Sequence, residues 1–128
     1  MDPTFRESVE SLEPKFRQLV AMTPVKARQL PKDVPRRGVY LFSESGIHLY
    51  VGRTNDLRGR IRAHSGGSSG ENRAALAFRM TRHQTGKLKA TYKREGSRKE
   101  LMKDQTFFAA FVSAKQRLAD MELRYVEE

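Results

Sequence analysis

Tyr40 and Tyr50 sit in two β-branched and aromatic runs, Gly38-Val39-Tyr40-Leu41-Phe42-Ser43 and Ile47-His48-Leu49-Tyr50-Val51-Gly52, separated by Glu44-Ser45-Gly46. That pattern predicts a β-hairpin. A three-residue loop with Gly46 in the left-handed position pairs Ser43 with Ile47 and sets Tyr40 directly opposite Tyr50, two phenols on one face. A two-residue Ser45-Gly46 loop would instead oppose Tyr40 to Val51 and send the phenols to different faces, because a one-residue slip inverts a strand. The three-residue register is the expectation. In the helix that follows, Leu57 and Ile61 mark an inward stripe, and helical spacing puts Arg60 and His64 on it while Arg58 and Arg62 point away. An inward arginine needs an anion to face. His64 taken alone reads more simply as a satisfied core imidazole. Over residues 113–126, read as a helix, Ala114, Leu118, Ala119, Met121, Tyr125 and Val126 form an apolar arc with Glu122 at its centre. A carboxylate there calls for a cation, either an arginine partner or a metal ion.

The elements that would position these groups follow from local pattern. Phe5, Val9, Leu12, Phe16, Leu19 and Val20 recur at helical intervals, with Thr4 and Glu7 forming a capping box. Pro14 divides that stretch into two short helices and lies in the first turn of the second. Pro24, Pro31 and Pro35 make residues 23–37 an extended connector. The polar run Arg53-Thr54-Asn55-Asp56 offers an N-cap for a helix through about His64, in which Gly59 costs about 1 kcal/mol relative to Ala. Residues 65–70 form a Gly/Ser loop, residues 71–83 a further helix stopped by Gly86, and the apolar run 105–112 a third strand. Ser113, with Gln116 three residues on, caps the terminal helix. The order predicts an α+β fold: a small sheet of a hairpin plus a third strand, flanked by helices.

Composition narrows the function classes. The 128 residues carry a formal net charge of +10 and no cysteine, which removes disulfides, thiolate metal sites and thiol nucleophiles. No signal peptide or membrane-length apolar run is present, so an intracellular protein without membrane attachment is expected. The basic excess points to a polyanion, nucleic acid first. Lys87, Lys89, Lys93 and Arg94, with Arg53, Arg58 and Arg62, are the expected backbone contacts.

Gly38-Val39-Tyr40, then Tyr50-Val51-Gly52 ten residues on, then Arg60 and His64, together resemble the GIY-YIG nuclease superfamily. The resemblance covers about residues 36–126 and divides the chain into an N-terminal extension, 1–35, and a nuclease domain, 36–128. It implies metal-dependent hydrolysis of a DNA phosphodiester, with RNA also open as a ligand. By that resemblance Tyr40 would activate or position the attacking water, and Tyr50 would help place water and phosphate. Arg60 would neutralise charge on the phosphoryl oxygens, and His64 would take a proton or assist Tyr40. Ala119-Asp120-Met121-Glu122-Leu123 looks like the family's metal-bearing helix, with Glu122 holding a single Mg²⁺ or Mn²⁺. Arg53 stands where many members carry Lys. The family's usual continuation, with a polar residue that is often Asn, does not occur before Glu128, and the expectation is a fragment of a longer protein rather than a minimal domain. The runner-up function is a non-catalytic nucleic-acid-binding or partner-positioning module on the same fold.

Overall fold

The structure is a computed structural model that describes residues 13–66, 70, 73–86 and 98–128. The chain divides into two compact units, residues 1–61 with 120–128, and residues 62–119. The first holds the sheet. Helix α1, Glu13–Ala21, leads through the two-residue strand β1, Val25–Lys26, and a 3₁₀ turn, Ala27–Gln29, to the hairpin strands β2, Gly38–Glu44, and β3, Ile47–Thr54. Helix α2, Leu57–Ser65, follows and crosses into the second unit, and strand β4, Glu122–Glu127, closes the chain. The strands order as β1-β4-β2-β3, all antiparallel, confirming the α+β class.

The sheet has four strands, and its third member in the expected scheme is misplaced. Residues 105–112, expected as a strand, instead open helix α5, Gln105–Asp120, which follows helix α3, Ala75–Thr85, and the short α4, Arg98–Lys103. Phe107, Phe111, Ala114 and Leu118 are buried along one side of α5, a helical period hidden inside an apolar run of strand length. Its start is fixed by Asp104, whose Oδ1 accepts from the amides of Thr106 at 2.9 Å and Phe107 at 3.1 Å. Ser113 therefore lies inside a helix and caps nothing. The strand is β4, in the stretch expected to end the terminal helix, where Leu-Arg-Tyr-Val suits a pleated surface.

One face of the sheet packs on α1. Leu19 joins Val39, Leu41 and Val51 in a core cluster, with Phe16 and Val126 against it. Pro14 lies in the first turn of α1 as expected; residues 1–12 lie outside the described residues. Helix α1 and strand β1 belong to the same compact unit as the hairpin. In the second unit, Phe78 of α3 meets Phe107 at 5.3 Å and Phe111 at 6.3 Å between ring centroids. Gly86, at φ +80°, ends α3 in the left-handed conformation, as its sequence position suggested. No helix among the described residues is long and apolar enough to cross a membrane.

Candidate active site

The hairpin turn is tighter than the sequence suggested. Ser45 and Gly46 form a two-residue turn, both at positive φ (52° and 78°), with Glu44 paired to Ile47. Alone, this would invert the relation between the two tyrosines. Leu49, however, is an extra residue on β3, the register shifting between Phe42 and Ser43. The two one-residue changes cancel in parity. Tyr40 thus opposes Gly52 and Phe42 opposes Tyr50, so the phenols share a face as expected but stand diagonally, ring centroids 6.0 Å apart, rather than side by side.

Gly52 gives this arrangement its physical reason. A Cβ there would lie 2.5 Å from both Cζ and Oη of Tyr40, so the phenol lies flat over bare backbone. Gly38 is constrained in the same manner: a Cβ would strike the Val126 carbonyl oxygen of β4 and approach Leu57 Cδ1 of α2 to 2.9 Å. The paired glycines are contact points at which the sheet admits a ring and a helix.

Helix α2 is anchored to this same face. The Leu57 amide donates to the Arg36 carbonyl at 2.8 Å, and Asp56 caps the helix through Gly59 N–H at 3.1 Å. Gly59, costly by propensity, leaves room for that carboxylate: a Cβ would run into it. Leu57 and Ile61 are buried as the inward stripe, and Arg60 between them reaches Tyr40. The Arg60 guanidinium donates to the Tyr40 oxygen, and the Tyr40 hydroxyl in turn donates to Tyr50.

Tyr40 is 1% exposed. Burial, helped by the neighbouring Tyr50, drives its phenol far above the ordinary tyrosine range, and the Arg60 contact only partly opposes this. The net shift is upward, so the Arg60 contact does not bring this phenol towards ionisation at neutral pH. Spectrophotometric titration should show one phenol ionising after the others among the four tyrosines. Tyr40→Phe should delete that late phase, whereas an unchanged late phase in the variant would contradict the assignment.

Glu122 is corrected. It begins β4 rather than sitting on a helix, opposes Ser43, and alternates with Arg124 and Val126, so it belongs to the face packed on α1. That is the opposite face from Tyr40, Gly52 and Arg60. Its Oε2 lies 3.8 Å from Arg124 Nη1, the arginine-partner alternative for a carboxylate that needs a cation. On the same side, Ser43 Oγ and His48 Nδ1 are 2.7 Å apart, and burial together with Arg124 lowers the His48 pKa against the opposing pull of Glu122. Among the described residues no group of three or more His, Asp or Glu side chains is placed to hold a metal ion. Glu122 thus does not fit the metal role beside the phenols.

The other expected site residues divide. His64 is fully buried, one helical turn beyond Arg60 on α2, within the residues assigned to the second unit. Arg58 does not point away into solvent: its guanidinium donates to the Pro31 carbonyl, tying the connector to α2. Arg53 pairs with Glu128 at 2.9 Å and, opposite Val39, lies on the α1 side. Arg62 is exposed. Lys87, Lys89, Lys93 and Arg94 lie outside the described residues. Tyr125, read in the sequence as part of the apolar arc of a terminal helix, is the partner of Tyr40 on β4 and adds a third phenol to the Tyr40 face. Burial and Asp33 raise its pKa, against Arg58.

Comparison with known proteins bears on this geometry. A segment of 56 residues, 43% of this chain, is 41% identical to the UvrABC system protein C of Maricaulis maris, of which it covers 8%. No solved structure matches. The GIY-YIG catalytic domain family matches residues 36–128, a span that contains both glycines, Tyr40, Tyr50 and Arg60. The chain belongs to the GIY-YIG catalytic domain family.

Proposed function

We propose that the Tyr40–Tyr50–Arg60 face hydrolyses DNA phosphodiester bonds. The observation that carries this reading is the directed chain of hydrogen bonds, Arg60 to Tyr40 to Tyr50, on a face kept open by Gly52. Arg60 spends one donor on Tyr40 and has others for two phosphoryl oxygens, matching the planar fork of a guanidinium. Tyr40, buried and protonated, positions rather than deprotonates the attacking water. Tyr50, half-buried, accepts from Tyr40 and so directs its own O–H outward, towards water or phosphate. The water oxygen bonds to phosphorus and loses a proton to solvent, the ester P–O bond breaks, and the departing sugar oxygen takes a proton from solvent, giving a phosphate monoester and a sugar hydroxyl. Positioning and charge neutralisation are what such a transfer chiefly requires.

GIY-YIG nucleases generally use divalent metal ions. Mg²⁺ or Mn²⁺ is the expected ion here because either tolerates few protein ligands and binds substrate phosphate directly. Glu122, on the α1 face of the sheet, is not proposed as its ligand. The similarity to a UvrC protein favours DNA repair as the setting.

A plasmid-nicking assay tests the proposal. Supercoiled DNA should be relaxed in Mg²⁺ or Mn²⁺ and protected by EDTA. Binding without cleavage in either ion would favour the non-catalytic module instead.

A further inference from the structure

Residues 62–119 carry thirteen Lys and Arg against four Asp and Glu, a net +9, whereas residues 1–61 with 120–128 carry twelve against eleven. Nearly all the basic excess therefore belongs to the helical unit. Within it, the Arg98 guanidinium lies over the Phe78 ring, 5.0 Å from its centroid. Arg82 is four residues beyond Phe78 on α3, hence on the same side of the helix. Both arginines are half-buried, and the proximity of Arg98 adds to burial in lowering the Arg82 pKa. The platform beneath them is rigid, since Phe78 packs on Phe107 and Phe111. Arg98, with its guanidinium over the Phe78 ring, and Arg82, one helical turn along from that ring, bring planar N–H donors of the kind that phosphate oxygens accept.

We infer that Arg82 and Arg98 form a clamp for one non-scissile phosphodiester of a nucleic-acid backbone. The inference rests on the nuclease reading only for the identity of the polyanion. A clamp on a phosphate other than the scissile one would contribute to affinity and its salt dependence and leave the chemical step alone.

The test is anisotropy of a labelled DNA duplex across a KCl series, with single-turnover cleavage at saturating protein. The double variant Arg82→Gln with Arg98→Gln should bind about tenfold more weakly at low salt and lose about one from the slope of log affinity against log salt. Its cleavage rate at saturation should stay within about twofold of wild type, as expected of binding lost without transition-state contacts. Arg82→Lys with Arg98→Lys should keep the slope. Arg79→Gln with Arg117→Gln removes the same charge from elsewhere in the unit, both residues being exposed, and should change affinity less. Equal losses in the two Gln pairs would overturn the clamp. If the clamp pair behaves as expected but wild-type protein cuts nothing, the nuclease reading fails and the clamp stands. Should the Gln pair not fold, side-chain NMR of wild-type protein titrated with inorganic phosphate decides. Joint shifts of the Arg82 and Arg98 Nε–H signals support the clamp, and their absence refutes it.

Discussion

Gly52→Ala should lower single-turnover cleavage by about a hundredfold or more in a protein that still folds and still binds DNA. The added methyl would occupy the place of the Tyr40 phenol, with Cζ and Oη both 2.5 Å from the ideal Cβ. Gly52 is not at positive φ, so alanine strains no backbone there and the cost falls on the ring. Tyr40 cannot withdraw easily, because Phe42 stands edge-on at 6.0 Å and the surroundings are buried. Overpacking of this kind costs about 1–3 kcal/mol of stability. The displaced hydroxyl loses Arg60 and Tyr50 together, and a shift of about 1 Å in a positioning group is enough for a hundredfold loss. Rate measured beside thermal unfolding separates the effects: a loss of stability with full activity would show that the phenol need not lie over Gly52.

Arg60→Gln should cost about a hundredfold to a thousandfold in the same rate, the range for deleting one preorganised donor to a developing oxyanion. The effect should exceed what binding loses, since the side chain faces the phenols from α2. Arg60→Gln should also push the Tyr40 ionisation still higher, because Arg60 is the group that lowers it. An Arg60→Gln protein that cuts normally would remove the guanidinium from the chemistry.

The sequence made the hairpin, α2 and the inward Arg60 legible because each rests on a local signal: alternation, a cap at Asp56, and the Leu57–Ile61 stripe. Residues 105–127 were less legible for an equally local reason. Gln-Thr-Phe-Phe-Ala-Ala-Phe-Val is short and apolar, and within eight residues a buried strand and one side of a helix look alike. Asp104, which caps α5, was the available cue. Placing the strand too early left Glu122 on a helix, and so on the wrong face. The turn shows a different limit: Ser45 at positive φ and the extra residue at Leu49 are set by pairing with the neighbouring strand, which composition does not encode. Their cancellation left the shared face of the tyrosines intact.

Our proposal is that chemistry belongs to the Tyr40 face and not to the Glu122 face. It is tested most directly by single-turnover nicking of plasmid DNA by Tyr40→Phe and Glu122→Gln, both measured at saturating protein. The expected result is a loss of about a hundredfold or more for Tyr40→Phe, as for a group that positions the reacting water. Glu122→Gln should remain within about threefold of wild type, its carboxylate lying beside Arg124 of the same strand, on the face away from Tyr40. Abolition of cleavage by Glu122→Gln, with Tyr40→Phe still active, would contradict it.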